Sequence, residues 1–253
     1  MLSISVVIIT KNESINIAPC IIAAKQIANE IIVVDTGSTD NTVELAKREN
    51  VRVYEIKWEG YGHARNYASS LAANDWILAI DADERITQEL AKSIKMLNNP
   101  DNMVIYGFKR ESYFLGKKIR FGNFGADKVY RVYHKLNVSW SLAEVHETLV
   151  GNNLSKELIK GHLEHYTIRS LKENENKIIN YATLNARKYF TQGKKSTLVK
   201  RFLSPLFGFI QPYIFRLGFL DGKEGFIISF SNAKCTYLKY KMLFEMRNES
   251  LSK

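Results

Sequence analysis

Four short apolar runs in the first hundred residues, 4–10, 30–35, 51–57 and 76–81, alternate with stretches of helical periodicity near 15–28, 41–49, 62–73 and 88–97. Runs that are apolar at nearly every position, rather than at every second one, have to be buried on both faces. Separated by helices, they predict an α/β fold: a parallel sheet covered on both sides and built from right-handed βαβ units. Sheets of this kind bind ligands beyond the carboxyl ends of their strands. Three of those ends carry polar clusters, Thr10-Lys11-Asn12-Glu13, Asp35-Thr36-Gly37-Ser38 and Asp81-Ala82-Asp83-Glu84. Their convergence on one rim predicts a site there.

The third cluster says most about chemistry. A strand that delivers several carboxylates at its end incurs electrostatic repulsion, so a positive partner is expected. Hard oxygen ligands point to Mg²⁺ or Mn²⁺ carrying a phosphate. The loop Asp35 to Thr42 puts a glycine turn and capping side chains at a helix N-terminus, where amides and side-chain oxygens can hold a base or ribose. No glycine-rich dinucleotide or phosphate-loop fingerprint is present, so a nucleotide has to be held through the carboxylate-bound metal. Gly62-His63-Ala64-Arg65-Asn66 opens a helix, and its amides and Arg65 are expected to face a diphosphate.

The 253 residues fit one large α/β domain, or one with an appendage, and a 45% hydrophobic content supports its core. Cys20 and Cys235 suggest neither a disulfide framework nor a zinc site. The net charge of +10 is unevenly placed: residues 1–150 hold 18 basic and 18 acidic side chains, and residues 151–253 hold 18 and 8. The basic part therefore expects an anionic partner, whether acidic lipid, phosphorylated glycan or nucleic acid. The apolar N-terminus lacks a basic flank and reads as a buried strand, not a signal peptide. The longest apolar stretch, 202–220, is interrupted by Pro205, Gln211, Pro212 and Arg216, which argues against a spanning helix but allows an interfacial one. Segments 104–113 and 128–133 read as antiparallel strands on an acceptor side, with the glycine-punctuated stretch 116–125 between them. From about Ser170 the chain reads as helical, with Ile178, Ala182, Ala186 and Tyr189 forming one stripe.

With Ser5 to Glu13, Val33 to Thr42, Gly62…Ala64-Arg65-Asn66 and Asp81-Ala82-Asp83 in this order, the chain resembles family 2 glycosyltransferases, inverting enzymes of the GT-A fold. The resemblance implies a GT-A domain over 1–168, Rossmann-like and mostly parallel, with a nucleotide-sugar half to about 100 and an acceptor half beyond it. A basic, aromatic helical extension follows over 169–253, offering a membrane or oligomer contact. It further implies that Thr10, Glu13 and Asp35, with Gly37, Ser38 and Arg65, hold the nucleotide sugar. Asp81 and Asp83 become the Asp-x-Asp motif, with Asp81 on the donor and Asp83 ligating Mn²⁺ or Mg²⁺. His165 resembles a C-terminal metal- or phosphate-binding histidine, with His162 expected beside it on the same strand face. Glu147 matches the family's catalytic acidic position and is the expected base, with Glu144 in reserve. Thr36 departs from the family, many of whose members have a second Asp that contacts the base.

Trp140…Val145-His146-Glu147, His165-Tyr166 and Gly218…Asp221-Gly222…Gly225 are similar to a narrower group, the bacterial lipopolysaccharide core β-1,4-glucosyltransferases. This implies UDP-glucose as donor and an inner-core heptose as acceptor. Phe202, Phe207, Phe209, Tyr213, Phe215 and Phe219 lie among Lys194, Lys195, Lys200, Arg201 and Arg216, which suits an anionic membrane surface at about 1 kcal/mol per basic residue. The expected setting is cytoplasmic, peripheral on the inner face of the inner membrane. The rival readings are transfer to a polyprenyl phosphate or a surface polysaccharide, and a non-catalytic basic membrane-binding protein. Nucleic acid is not an expected partner, because the strand-end carboxylates would repel a polyanion.

Overall fold

The computed structural model describes residues 2–125, 127–142 and 147–251. Strand β1 (Ile4–Thr10) is buried along its whole length and is paired in parallel on both sides. One neighbour is β2 (Glu30–Asp35), itself flanked by β3 (Arg52–Glu55), and the other is β4 (Trp76–Asp81). The intervening helices are α1 (Ile17–Ala24), α2 (Thr42–Arg48) and α3 (Tyr61–Ser70), and α4 (Gln88–Lys95) follows. The four expected strand–helix pairs are therefore present. Helix α1 is shorter than its apolar pattern suggests, because the backbone tightens after Ala24 into i→i−3 bonds from Gln26 and Ile27.

Both sheet faces are covered, as continuous apolar runs require. Ile4, Val6 and Ile8 pack with Ile17, Cys20 and Ile21 of α1 and with Leu90 and Ile94 of α4. Val7, Ile32, Val34, Ile77 and Ala79 point the other way, toward Ala68 of α3 and the rings of Tyr133 and Trp140. Each fully buried Val, Leu or Ile contributes about 1.5–3 kcal/mol of transfer free energy, so this layer fixes the register of the strand ends.

The remaining strands are β5 (Glu84–Ile86), β6 (Val104–Phe114), β7 (Lys117–Lys118), β8 (Asp127–His134), β9 (Ser139–Trp140), β10 (Leu149–Val150) and β11 (Ser155–Ile168). The main sheet runs β3-β2-β1-β4-β8-β6-β11-β5, with β7 paired to β6, while β9 and β10 form a separate hairpin. β8 joins β4 antiparallel and β11 joins β5 antiparallel. The parallel order reverses direction at β1, which makes the carboxyl ends of β1 and β4 the switch point where α/β sheets take ligands.

The chain divides into two compact units, residues 1–110 with 127–165, and residues 111–126 with 166–253. The second contains α5 (Leu171–Thr191), α6 (Leu198–Ile210) and α7 (Lys223–Leu251). The anticipated stripe is present in α5, with Ile178, Ala182 and Ala186 buried. Asp221 joins this unit together: its carboxylate accepts the backbone N–H groups of Arg120 and Phe121, and its carbonyl accepts from Lys117 Nζ at 2.8 Å. No helix among the described residues is long and apolar enough to cross a membrane.

Candidate active site

The ends of β1 and β2 are sewn together by their own polar side chains. Thr10 and Asp35 are register partners. The Asp35 carboxylate, 1% exposed, accepts the N–H of Gly37 at 2.9 Å, the N–H of Ser38 at 2.8 Å and the Ser38 hydroxyl. Gly37 has φ +97°, a turn that favours glycine. Across the gap, the Asn12 N–H donates to Ser38 Oγ and the Glu13 N–H to Thr42 Oγ1, both at 2.8 Å. The Glu13 carboxylate accepts from Asn16 Nδ2 at 2.6 Å. The five residues expected at the nucleoside, Thr10, Glu13, Asp35, Gly37 and Ser38, thus occupy two adjoining loops. Thr10 Oγ1 is buried with no partner, which leaves a polar group spare.

At the end of β4 the expected repulsion is met by cations supplied by the chain itself. Asp81 accepts from Arg65 Nη2 at 2.7 Å and from Arg131 Nη2 at 3.4 Å. Burial pushes the Asp81 carboxyl up, but the two guanidiniums outweigh it and hold the group well below the usual carboxylate range. Glu84 is fully buried and structural: one oxygen accepts the Asp81 N–H at 2.9 Å and the other faces Arg110 Nη1 at 3.4 Å. Arg110 also binds Asp127 at 2.6 Å. The acidic turn is therefore balanced by three arginines, Arg65, Arg131 and Arg110, of which motif reading selected only Arg65.

Asp83 points to a different partner, His165 of β11, whose Nε2 lies 3.2 Å from Asp83 Oδ2. Burial lowers the imidazole pKa, but the hydrogen bond and charge of Asp83, with the charge of Glu84, raise it overall above the ordinary value. Register explains the meeting, since His165 pairs directly with Glu84 across β11 and β5. His162 is three residues away and so falls on the opposite strand face, contrary to the expected shared face. Among the described residues no group of three or more His, Cys, Asp or Glu side chains could hold a metal ion. The Asp83–His165 pair fits one only in the way magnesium sites commonly work, with a few protein ligands and the rest from substrate phosphates and water. His165 Nδ1, buried without a partner, leaves this imidazole without a second anchor.

Arg65 brings Glu147 into the same cluster. It is 2% exposed, and while Nη2 holds Asp81, Nη1 donates to Glu147 Oε1. Its guanidinium lies 4.6 Å from the centre of the Trp140 ring, and Arg131 lies 5.3 Å from the same ring. Burial disfavours the charge of Arg65, but Asp81 and Glu147 more than compensate and raise its pKa above the ordinary arginine value. The next residue, Asn66, pairs with the backbone of Trp140 in both directions, at 2.8 Å each. Gly62 completes this arrangement, because a Cβ there would run into the carbonyl oxygen of Ser141. The Trp140 indole N–H and Ser69 Oγ both reach Tyr133 Oη, at 2.9 and 2.7 Å.

Gly62, Arg65 and Asn66 therefore form a socket for the segment that carries Glu147. The sequence placed this motif at a diphosphate; its buried contacts are with Trp140, Ser141, Asp81 and Glu147. Glu144 lies outside the described residues. Arg131, like Arg110, is a residue sequence reading missed entirely: it is buried, Nη2 faces Asp81, and Nη1 has no partner. A lone basic residue in a strand pattern gives no signal of its own.

The protein-family model described as glycosyl transferase family 2 matches residues 5–160. An uncharacterized glycosyltransferase of Rickettsia typhi is 32% identical over 99% of this chain and 89% of its own length. The lipopolysaccharide core biosynthesis glycosyltransferase LpsC of Rhizobium meliloti is 27% identical over 96% of this chain and 93% of its own. Among solved structures, residues 1–349 of Staphylococcus aureus TarS align with 98% of this chain and 92% of that one, at 16% identity and a TM-score of 0.43. The family match extends from the first strand through the socket and the acidic turn into β11, and on that ground the chain is a glycosyltransferase of family 2, with the GT-A fold.

Proposed function

We infer that the protein transfers glucose from UDP-glucose, with inversion, to a heptose of a lipopolysaccharide core or a closely related lipid-linked glycan. The observation that carries this reading is the Arg65 bridge, which joins Asp81, on the proposed donor side, to Glu147, the proposed base, through one buried guanidinium. LpsC, named for lipopolysaccharide core biosynthesis and similar over nearly the whole chain, supports the acceptor class.

In this mechanism Thr10, Glu13, Asp35, Gly37 and Ser38 hold the nucleoside between the two sewn loops. Asp83 and His165 would hold Mn²⁺ or Mg²⁺, which when bound supplies positive charge for the diphosphate leaving group. The unpartnered Nη1 of Arg131 offers a further donor to a diphosphate oxygen. Glu147 takes the proton from the acceptor hydroxyl as its oxygen bonds to the anomeric carbon. The bond from that carbon to the diphosphate breaks on the opposite side, and UDP leaves. Arg65 orients the Glu147 carboxylate until the acceptor arrives.

The test is transfer from a panel of UDP-sugars to extracted core oligosaccharide, with polyprenyl phosphate as the competing acceptor. Glu147→Gln is expected to lower kcat by about 10²–10⁴-fold while leaving UDP binding intact. Asp83→Ala is expected to abolish metal-dependent UDP binding by calorimetry. If both variants fold and both transfer sugar at the wild-type rate, the assignment of these residues fails. Exclusive use of polyprenyl phosphate would overturn the acceptor.

A further inference from the structure

Helix α6 is inverted with respect to the usual rule for a packed surface helix. The side that meets α7 carries Arg201, whose guanidinium lies 4.2 Å from the centre of the Phe244 ring. It also carries Gly208, whose carbonyl accepts from Asn232 Nδ2 at 2.7 Å, and Phe209, packed edge-on against Phe226. The large apolar side chains face solvent instead: Leu198, Val199, Phe202, Leu203, Leu206 and Phe207 are all exposed, Phe202 and Phe207 at 63% each. Spacings of four join 198, 202 and 206, and 199, 203 and 207, so these six form one continuous face. The turn after the helix also leaves Phe215, 71% exposed, with Phe219 and Leu220, in solvent. Leu217 between them has φ +57°, a left-handed conformation that costs a leucine free energy and that holds the chain reversal at this point.

Charge identifies the occupant. Across residues 192–220 there are five basic side chains, Lys194, Lys195, Lys200, Arg201 and Arg216, and not one Asp or Glu. A second copy of the chain seated symmetrically on this face would bring like charges together. A spanning arrangement has no helix among the described residues to support it. An anionic lipid surface satisfies both halves of the pattern, since acyl chains accept the phenylalanines and headgroup phosphates accept the cations. We propose that the outer face of α6 and the turn through Leu220 seat the protein on an anionic bilayer, with the phenylalanines at the acyl boundary and Lys195, Lys200 and Arg216 among the headgroups. This does not depend on which sugar or acceptor the enzyme uses.

The experiment is cosedimentation of the full chain with vesicles that contain no glycan and no nucleotide sugar. Phosphatidylcholine vesicles are compared with phosphatidylcholine–phosphatidylglycerol vesicles at physiological salt. The expected result is binding to the anionic vesicles and little to the neutral ones. Lys195→Gln with Lys200→Gln should weaken binding about fivefold per charge removed, hence roughly 25-fold. Phe202→Ser with Phe207→Ser should weaken it by at least about tenfold at unchanged charge. The lysine pair keeps the test informative if the phenylalanine pair does not fold. Absence of binding to anionic vesicles overturns the proposal, as does wild-type binding by folded forms of both variants. A lipid-free dimer dissociated by the phenylalanine substitutions would overturn it as well, assigning the face to a second copy.

Discussion

The two units break the rule that charge lies outside and apolar surface inside, and they break it in opposite directions. The first buries Arg65, Glu84 and Arg131 around the partly exposed Asp81 at the end of β4. The second leaves Phe202, Phe207 and Phe215 in solvent. Either inversion is unfavourable by itself, so each requires a compensating partner. In the first unit the partners are within the chain: each buried charge at the acidic turn meets an opposite one, and the cluster is ordered before substrate arrives. In the second unit the described residues provide no cover for the α6 face, so its partner comes from outside. A satisfied inversion marks a preorganised site, and an unsatisfied one marks a surface made to meet something else.

Substitution in the first unit should therefore be costly to stability, and the largest effect belongs to Arg65. Arg65→Ala strips both Asp81 and Glu147 of their shared cation while burial persists. Breaking such a pair costs about 3–5 kcal/mol, because an uncompensated charge remains. Urea denaturation should show a correspondingly lower midpoint, with Arg65→Lys intermediate because a lysine cannot donate to two carboxylates in one plane. An Arg65→Ala midpoint equal to wild type would mean that the buried cluster is not preorganised, and the comparison would collapse.

Gly62→Ala tests whether the socket, rather than the ion pair alone, positions Glu147. The added methyl meets the Ser141 carbonyl, so either the hairpin or the helix has to shift. Overpacking of this kind costs about 1–3 kcal/mol. The sharper readout is kinetic: kcat for sugar transfer should fall with the KM for the UDP-sugar little changed, because the nucleoside loops lie on other strands. A rise in donor KM alone would return Gly62 to the diphosphate role read from its sequence. Asn66→Ala should follow the same pattern more weakly, at about 1–2 kcal/mol, since it leaves the buried Trp140 N–H and C=O unpaired.

The divide between what the sequence revealed and what it hid follows sequence distance. β1, β2 and β4 were legible because burial on both faces demands uninterrupted apolar runs, and their polar ends follow from parallel pairing. The meeting of Asp83 with His165 was implied only by family resemblance, and its physical cause is the β5–β11 register. Arg131 and Arg110 were invisible, because their contacts with Asp81 and Glu84 depend on how β8 and β6 enter the sheet. The socket was hidden for a related reason: a glycine and an arginine at a helix start are the residues that would suit a phosphate, and the approach of Ser141 leaves no mark on residues 62–66. The aromatic, acid-free stretch after residue 192 was plain, but only packing shows which side of α6 faces outward.

The smallest stability effect expected is at that outward side, and it is the most direct check on the comparison. A phenylalanine in a core, such as the fully buried Phe108, loses about 3–5 kcal/mol on truncation to alanine. Phe207→Ser removes a ring that is already mostly in water, so the folded state forfeits little contact. Surface substitutions away from caps, pairs and strained turns stay within about 0.5 kcal/mol, and the thermal midpoint of Phe207→Ser should move no further than that allows. The same substitution is expected to weaken vesicle binding, so stability and lipid affinity should separate at this residue. A loss of several kcal/mol in the lipid-free protein would instead show that Phe207 is covered in solution, by the chain itself or by another copy. The unsatisfied inversion would then be a satisfied one, and the contrast between the two units would lose one of its terms.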